Sequence, residues 1–256
     1  MGIVKGVLKT PVKLCCYGKP GLGKSSFAGL APQSLILDLE HGVDRIDCVK
    51  THHITRWDEL YNRDESAVGI LNQLCRTGEY DGYAPKTLVF DTTTALEKLL
   101  DPVATKMFNE SNQKKYQNLS QIPYGQGAQQ LAAMMALVMD LADVLKSKGI
   151  STIFVGHETM ERVQSCEGDD FDQYTLQSMN KKVREVIIDR VDAVFYCQME
   201  GNIVSKDKGF GVSKKVNFQT GQRIMRCNSG TGYVAKNRFN LGDTVLMTPE
   251  IYASLV

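Results

Sequence analysis

Gly18-Lys19-Pro20-Gly21-Leu22-Gly23-Lys24-Ser25 sets three glycines, a lysine and a hydroxyl at the spacing G-x-x-x-x-G-K-[ST], with Ser26 directly after. The chemistry this suits is the holding of phosphate. Gly18, Gly21 and Gly23 free the backbone, so that successive N–H groups can turn toward one anion. Lys24 would bring a cation to the β- and γ-phosphates, and the Ser25 hydroxyl would complete the coordination of Mg²⁺. The context agrees, since the mostly apolar run 12–17 precedes the loop as a strand. Lys24-Ser25 then open a helix, whose N-terminal end adds positive potential. These residues imply a site for a nucleoside triphosphate.

Further along, polar side chains stand at the ends of apolar runs. Residues 34–39 read as a buried strand followed by Glu40-His41-Gly42-Val43-Asp44. A carboxylate at the tip of the adjacent strand would face the crevice where open parallel sheets bind ligands. There Glu40 would orient and deprotonate a water attacking a γ-phosphate; the alternative is a capping or solvated loop acid. Thr87-Leu88-Val89-Phe90-Asp91 is a third run, and its Asp91 either holds the water shell of Mg²⁺ opposite Ser25, as a Walker B acid, or caps the next helix. A fourth run, 151–156, ends in His157, either a sensor of the γ-phosphate or an ordinary histidine at a strand end.

The elements that must position these groups fit one α/β domain. At 256 residues and 43% hydrophobic content, the chain can bury one sizeable core. Thirty basic residues against 29 acidic ones leave any nucleic-acid contact to local patches. Seven cysteines without a C-x-x-C pair suit a reducing compartment. No signal region or membrane-length apolar run stands out, so the expectation is a cytoplasmic protein that does not engage a membrane. Helices are expected over 57–76, 95–107, 126–148 and from 181, with a short strand at 52–55 and another at 192–199. Residues 159–179 read as a mobile polar loop. After residue 200 the pattern turns like antiparallel hairpins, and a short helix follows Pro249.

The order of these segments, 18–25, 34–44, 87–92, 153–157 and 236–238, resembles the RecA-type recombinase ATPase core. It is most similar to compact phage proteins of that core which act in single-strand annealing and recombination. The resemblance implies an α/β P-loop NTPase of RecA-like type, with a mostly parallel central sheet flanked by helices. It would be one domain over 1–256, with a core at about 12–200 and an antiparallel extension at 201–256. ATP and Mg²⁺ would be its cofactors. Glu40 would be the catalytic base, Asp44 an adenine contact, Asp91 the metal acid and His157 the sensor, in place of the family's frequent glutamine. Lys236 and Arg238 would be offered to a neighbouring subunit's γ-phosphate in a ring or filament.

Two loops of such cores face a central axis, here about 109–126 and 159–184. They contain Lys114, Lys115 and Tyr116, then Lys181, Lys182 and Arg184, cations interleaved with aromatics of the kind that suits single-stranded DNA. Glu161, Glu167, Asp169, Asp170 and Asp172 oppose that reading in the second loop. Lys206, Lys208, Lys214 and Lys215 form an alternative basic cluster. The expected activity is Mg²⁺-dependent ATP hydrolysis stimulated by single-stranded DNA, in recombination, annealing or repair, with a single-strand binding protein as a candidate partner. The competing readings are a helicase-loader-like nucleotide switch and a small-metabolite kinase, although residues 159–179 hold only Arg162 for a kinase lid.

Overall fold

Runs of apolar residues with no polar face form strands covered on both sides, and that is where the computed structural model places them. It describes residues 5–6, 9–64, 68–165, 168–207 and 213–255. Strands β1 (Lys13–Gly18), β2 (Ser34–Asp38) and β3 (Thr87–Asp91) are buried at every position. With β4 (Ser151–Val163) and β6 (Ala193–Asp207) they build the parallel part of the sheet. The order is β2-β3-β4-β1-β6, continued antiparallel by β7 (Ser213–Arg226) and β9 (Thr244–Leu246). The short β8 (Lys236–Asn237) also pairs with β6. This is the mostly parallel α/β P-loop fold that the sequence implies, with its antiparallel C-terminal strands.

Side chains alternate between two cores, one on each face, as the two-residue period of a strand requires. Cys15, Tyr17, Leu37, Phe90 and Phe154 point to one face. There they meet α4 (Thr93–Asn112), α5 (Gln126–Ser147) and α6 (Lys181–Arg190), and Phe90 stacks on Phe154 at 4.9 Å. Leu14, Cys16, Ile36, Val89 and Ile153 point to the other face. That face has little helix, since α1 (Lys24–Gly29) is only six residues long. The 3₁₀ turn Pro249–Ser254 docks against it, with Tyr252 stacked on Phe27 at 5.0 Å and its hydroxyl donating to the Phe27 carbonyl.

Several expectations change. Glu40 does not follow a strand adjacent to β1: β3 and β4 lie between, because the chain crosses over before returning. The helix expected over 57–76 is two, α2 (Trp57–Leu60) and α3 (Ile70–Thr77). Asn72 ties both the N–H and the carbonyl of Asn62, holding the end of α2 against the start of α3. Residues 159–176 are mostly a hairpin, in which β4 runs on through Val163 to pair with β5 (Phe171–Leu176). An 18-residue stretch of α5, of mean hydropathy 1.4, is apolar and long enough to cross a membrane, contrary to the expectation that no run is long enough. Its Leu131, Met135, Val138, Met139, Ala142 and Leu145 are instead buried in the core.

Candidate functional site

The site is built at the C-terminal ends of the parallel strands. β1 delivers Gly18 beside β6 so closely that a Cβ there would lie 2.3 Å from the Cys197 carbonyl oxygen, which only glycine permits. The loop Lys19, Pro20, Gly21, Leu22 and Gly23 follows, anchored by the buried Leu22. Gly23 has a φ of 76°, the left-handed conformation that favours glycine. Lys24 is buried, and its ammonium donates to the Gly18 and Lys19 carbonyls at 2.9 and 2.8 Å. Burial lowers its pKa, while Cys197 and Asp91 act the other way.

Because β4 is inserted between β1 and β3, three strand tips converge. Register sets Gly18 beside His157, and Asp91 beside Val155 on one side and Asp38 on the other. Burial raises the Asp91 pKa, Glu40 and Asp38 add to the rise, and a hydrogen bond from Ser25 and the charge of Lys24 oppose it. Asp91 Oδ1 is buried without a hydrogen-bond partner. Such an atom implies a missing cation or water. Ser25 and Asp91 therefore fit Mg²⁺, as the hard oxygen donors that ion takes. Across the same crevice the half-exposed Glu40 carboxylate lies 3.5 Å from His157 Nε2, and His157 Nδ1 is another buried atom without a partner.

Other expected residues lie elsewhere. The exposed Asp44 carboxylate is 3.6 Å from His41 Nε2, so in this structure its neighbour is an imidazole. Lys236 pairs with Val194 at the N-terminal end of β6, the opposite edge of the sheet. Its ammonium donates to the Ile188 and Asp189 carbonyls at 3.0 and 2.8 Å, closing the end of α6. Arg238 lies 3.6 Å from Asp192. Neither basic residue lies at the phosphate loop of its own chain.

Of the expected DNA contacts, Lys114, Lys115, Lys181 and Lys182 are exposed. Tyr116 packs against the core beside Phe108, with its backbone fastened by Asn109, and Arg184 pairs with Glu161. These two are less available than their types suggest. The side chains of Lys206, Lys208, Lys214 and Lys215 lie outside the described residues.

The sequence reading missed Arg223. A Cβ on Gly23 would meet its Nη1 at 2.5 Å, so this exposed guanidinium lies directly over the phosphate loop. The β6–β7 register, which sets Arg223 opposite Met199, brings it there, and nothing local in the sequence marks it. Asp38 was also missed, although an acid closing an apolar run was the available signal.

The family model described as "AAA domain" matches residues 10–239. Among solved structures, a KaiC-like protein from the hyperthermophilic archaeon Pyrococcus horikoshii aligns at 11% identity with a TM-score of 0.36, covering 84% of this chain and 85% of that one. No curated protein matches.

Proposed function

The chain belongs to the AAA domain family, and from that premise we propose that it is a Mg²⁺-dependent ATPase of RecA-like fold whose turnover is coupled to single-stranded DNA. One observation carries the hydrolytic part: Glu40 meets His157 at 3.5 Å across the crevice from an unpartnered Asp91 oxygen. In this reading Glu40 is the base, His157 the polar sensor and Asp91 the metal acid, with Glu40 and Lys24 both near enough to Asp91 to shift its pKa.

In this reading the loop N–H groups and Lys24 bind the phosphates, Lys24 exchanging its two carbonyl partners for phosphate oxygens. Ser25 and Asp91 would hold Mg²⁺, which when bound would supply charge neutralisation to the phosphates. Glu40 accepts the proton of the attacking water, and His157 holds the carboxylate in place. Arg223 adds a cation from the same chain, and Arg238 is the remaining cation for a neighbour in an oligomer, since Lys236 closes a helix of its own subunit. The DNA part draws support from the RecA resemblance and from the exposed Lys114, Lys115, Lys181 and Lys182.

Phosphate release with and without single-stranded DNA, alongside a mass measurement, tests the proposal. Stimulation of hydrolysis by DNA in an oligomer is the expected result. Unstimulated hydrolysis with nucleotide-dependent capture of a protein partner would favour a loader-like switch, and phosphate transfer to a metabolite would favour a kinase.

A further inference from the structure

Beside the nucleotide crevice lies a second cluster of donors that the hydrolytic reading does not use. Residues 49–54 run along the free edge of β2: the Ile36 N–H donates to the Val49 carbonyl, the Thr51 N–H to Ile36, and the Ile54 N–H to Asp38, all at 2.9 Å. His53 is thereby held beside the end of β2. On β2 itself, the buried Asp38 uses Oδ1 to accept the Gly42 N–H, closing a turn in which His41 adopts a φ of 59°. That turn swings His41 back, so that its Nδ1 lies 4.0 Å from Asp38 Oδ2 and its ring meets the His53 ring at 4.9 Å, edge-on. One donor atom from each of Asp38, His41 and His53 lies within 4.8 Å of the other two.

We propose that Asp38, His41 and His53 bind one divalent transition-metal ion, Zn²⁺ by their donor set, at a site separate from the Mg²⁺ position at Ser25 and Asp91.

Four features point there. Two imidazoles and one carboxylate are the protein ligands of open zinc sites that leave the fourth position to water, whereas Mg²⁺ prefers oxygen alone. His53 Nδ1 is buried with no hydrogen-bond partner, as a ligand nitrogen without its metal would be. His41 has the outer carboxylate that metal-bound imidazoles usually have: while Nδ1 faces Asp38, Nε2 lies 3.6 Å from Asp44 Oδ2. Finally, the geometry needs little change. Ligand atoms on one tetrahedral zinc lie roughly 3.3 Å apart, so the cluster must contract by up to about 1.5 Å, and the exposed His41 can supply much of that movement.

An ion there would tie the turn 38–42 to the edge segment 49–54. Glu40 lies inside that turn, so metal occupancy would set how firmly the carboxylate is held against His157. That consequence rests on the hydrolytic reading; the binding of the ion does not.

The test uses the full chain, stripped with chelator and titrated with Zn²⁺ against a chromophoric competitor, with Co²⁺ as a spectroscopic substitute. One ion per chain is expected. His41→Ala and His53→Ala should each weaken it by about 100-fold, and Asp44→Asn by about 10-fold. Lys24→Ala should leave it unchanged. His41 is exposed, so its variant should fold even if His53→Ala does not. Undiminished binding in His41→Ala, a thiolate charge-transfer band with Co²⁺, or no binding at millimolar Zn²⁺ would each overturn the proposal. Zinc binding in a chain that hydrolyses no ATP would sink the hydrolytic reading and leave this one standing.

Discussion

The two ends of the central strands carry similar charge and treat it oppositely. At the N-terminal ends the charged groups are paired. Lys13 bonds Asp143, Arg190 reaches Asp140 and Asp143 at 2.7 Å each, and Asp192 gathers the Lys13 N–H, Lys146 and Arg238. Burial pushes the Asp143 pKa up, yet Lys13 and Arg190 bring it below the ordinary value. At the C-terminal ends Asp91 Oδ1, Thr93 Oγ1, His157 Nδ1 and Glu158 Oε2 are buried without partners, and burial raises the Asp91 pKa. A buried polar atom without a partner costs roughly 1–3 kcal/mol, so several together mark the end that awaits a ligand. The end whose charges are saturated is a clamp for the fold, although Thr152 Oγ1 there also lacks a partner. A mostly apolar cavity of about 240 Å³ near that end, lined by Val12, Leu14, Ile153 and Tyr252 with Lys9 and Lys86 among its other walls, has none of these unpartnered atoms and is not the nucleotide site.

The contrast can be broken in four places. Glu40→Gln should lower turnover by roughly 10²–10⁴-fold while leaving ATP affinity within a few-fold, since general-base catalysis is of that size. Phosphate-release kinetics decide it, and unchanged turnover removes Glu40 from the mechanism. Lys24→Ala should weaken ATP binding by about 100-fold in a calorimetric titration, because the loop loses its buried cation. Undiminished affinity would mean that the unsatisfied end is not where phosphate sits.

Stability against pH gives a third test. Glu97, fully buried in α4, accepts the Met179 N–H at 2.6 Å and has Oε1 without a partner. Burial raises its pKa to about 7, the Met179 bond opposing. Between about 4.5 and 7 the folded chain therefore keeps a proton that the unfolded chain releases, and stability falls as pH rises through that window. The loss approaches about 3 kcal/mol at pH 7 and above. Denaturant titrations of Glu97→Gln across the window should lack this decline; parallel profiles for parent and variant would refute it. The smallest effect belongs to the saturated end. Asp192→Ala should cost about 2 kcal/mol by stranding the Lys13 N–H and Lys146, with turnover unchanged. A fall in turnover at constant stability would show that the clamp serves the reaction rather than the fold.

Much of this was legible in the sequence. The loop 18–25, the strand-end acids Glu40 and Asp91, and His157 were each readable because a local pattern fixes them: a motif, or an apolar run closed by a polar residue. Arg223 was not, since its place over Gly23 depends on the pairing of β6 with β7, some two hundred residues from the loop. Lys236 misled for the complementary reason. Its type suited a phosphate, while its strand position gave it to the carbonyls ending α6.

What the sequence by itself determined is the identity of the phosphate loop and the alternation that buries both faces of five strands, because glycine freedom and apolar periodicity act over a few residues. Only the tertiary structure decided the strand order β2-β3-β4-β1, and with it the meeting of Glu40 and His157, the approach of Arg223 and the convergence of Asp38, His41 and His53. Those contacts join residues distant in the chain, and their closure depends on which strand edge each crossover reaches.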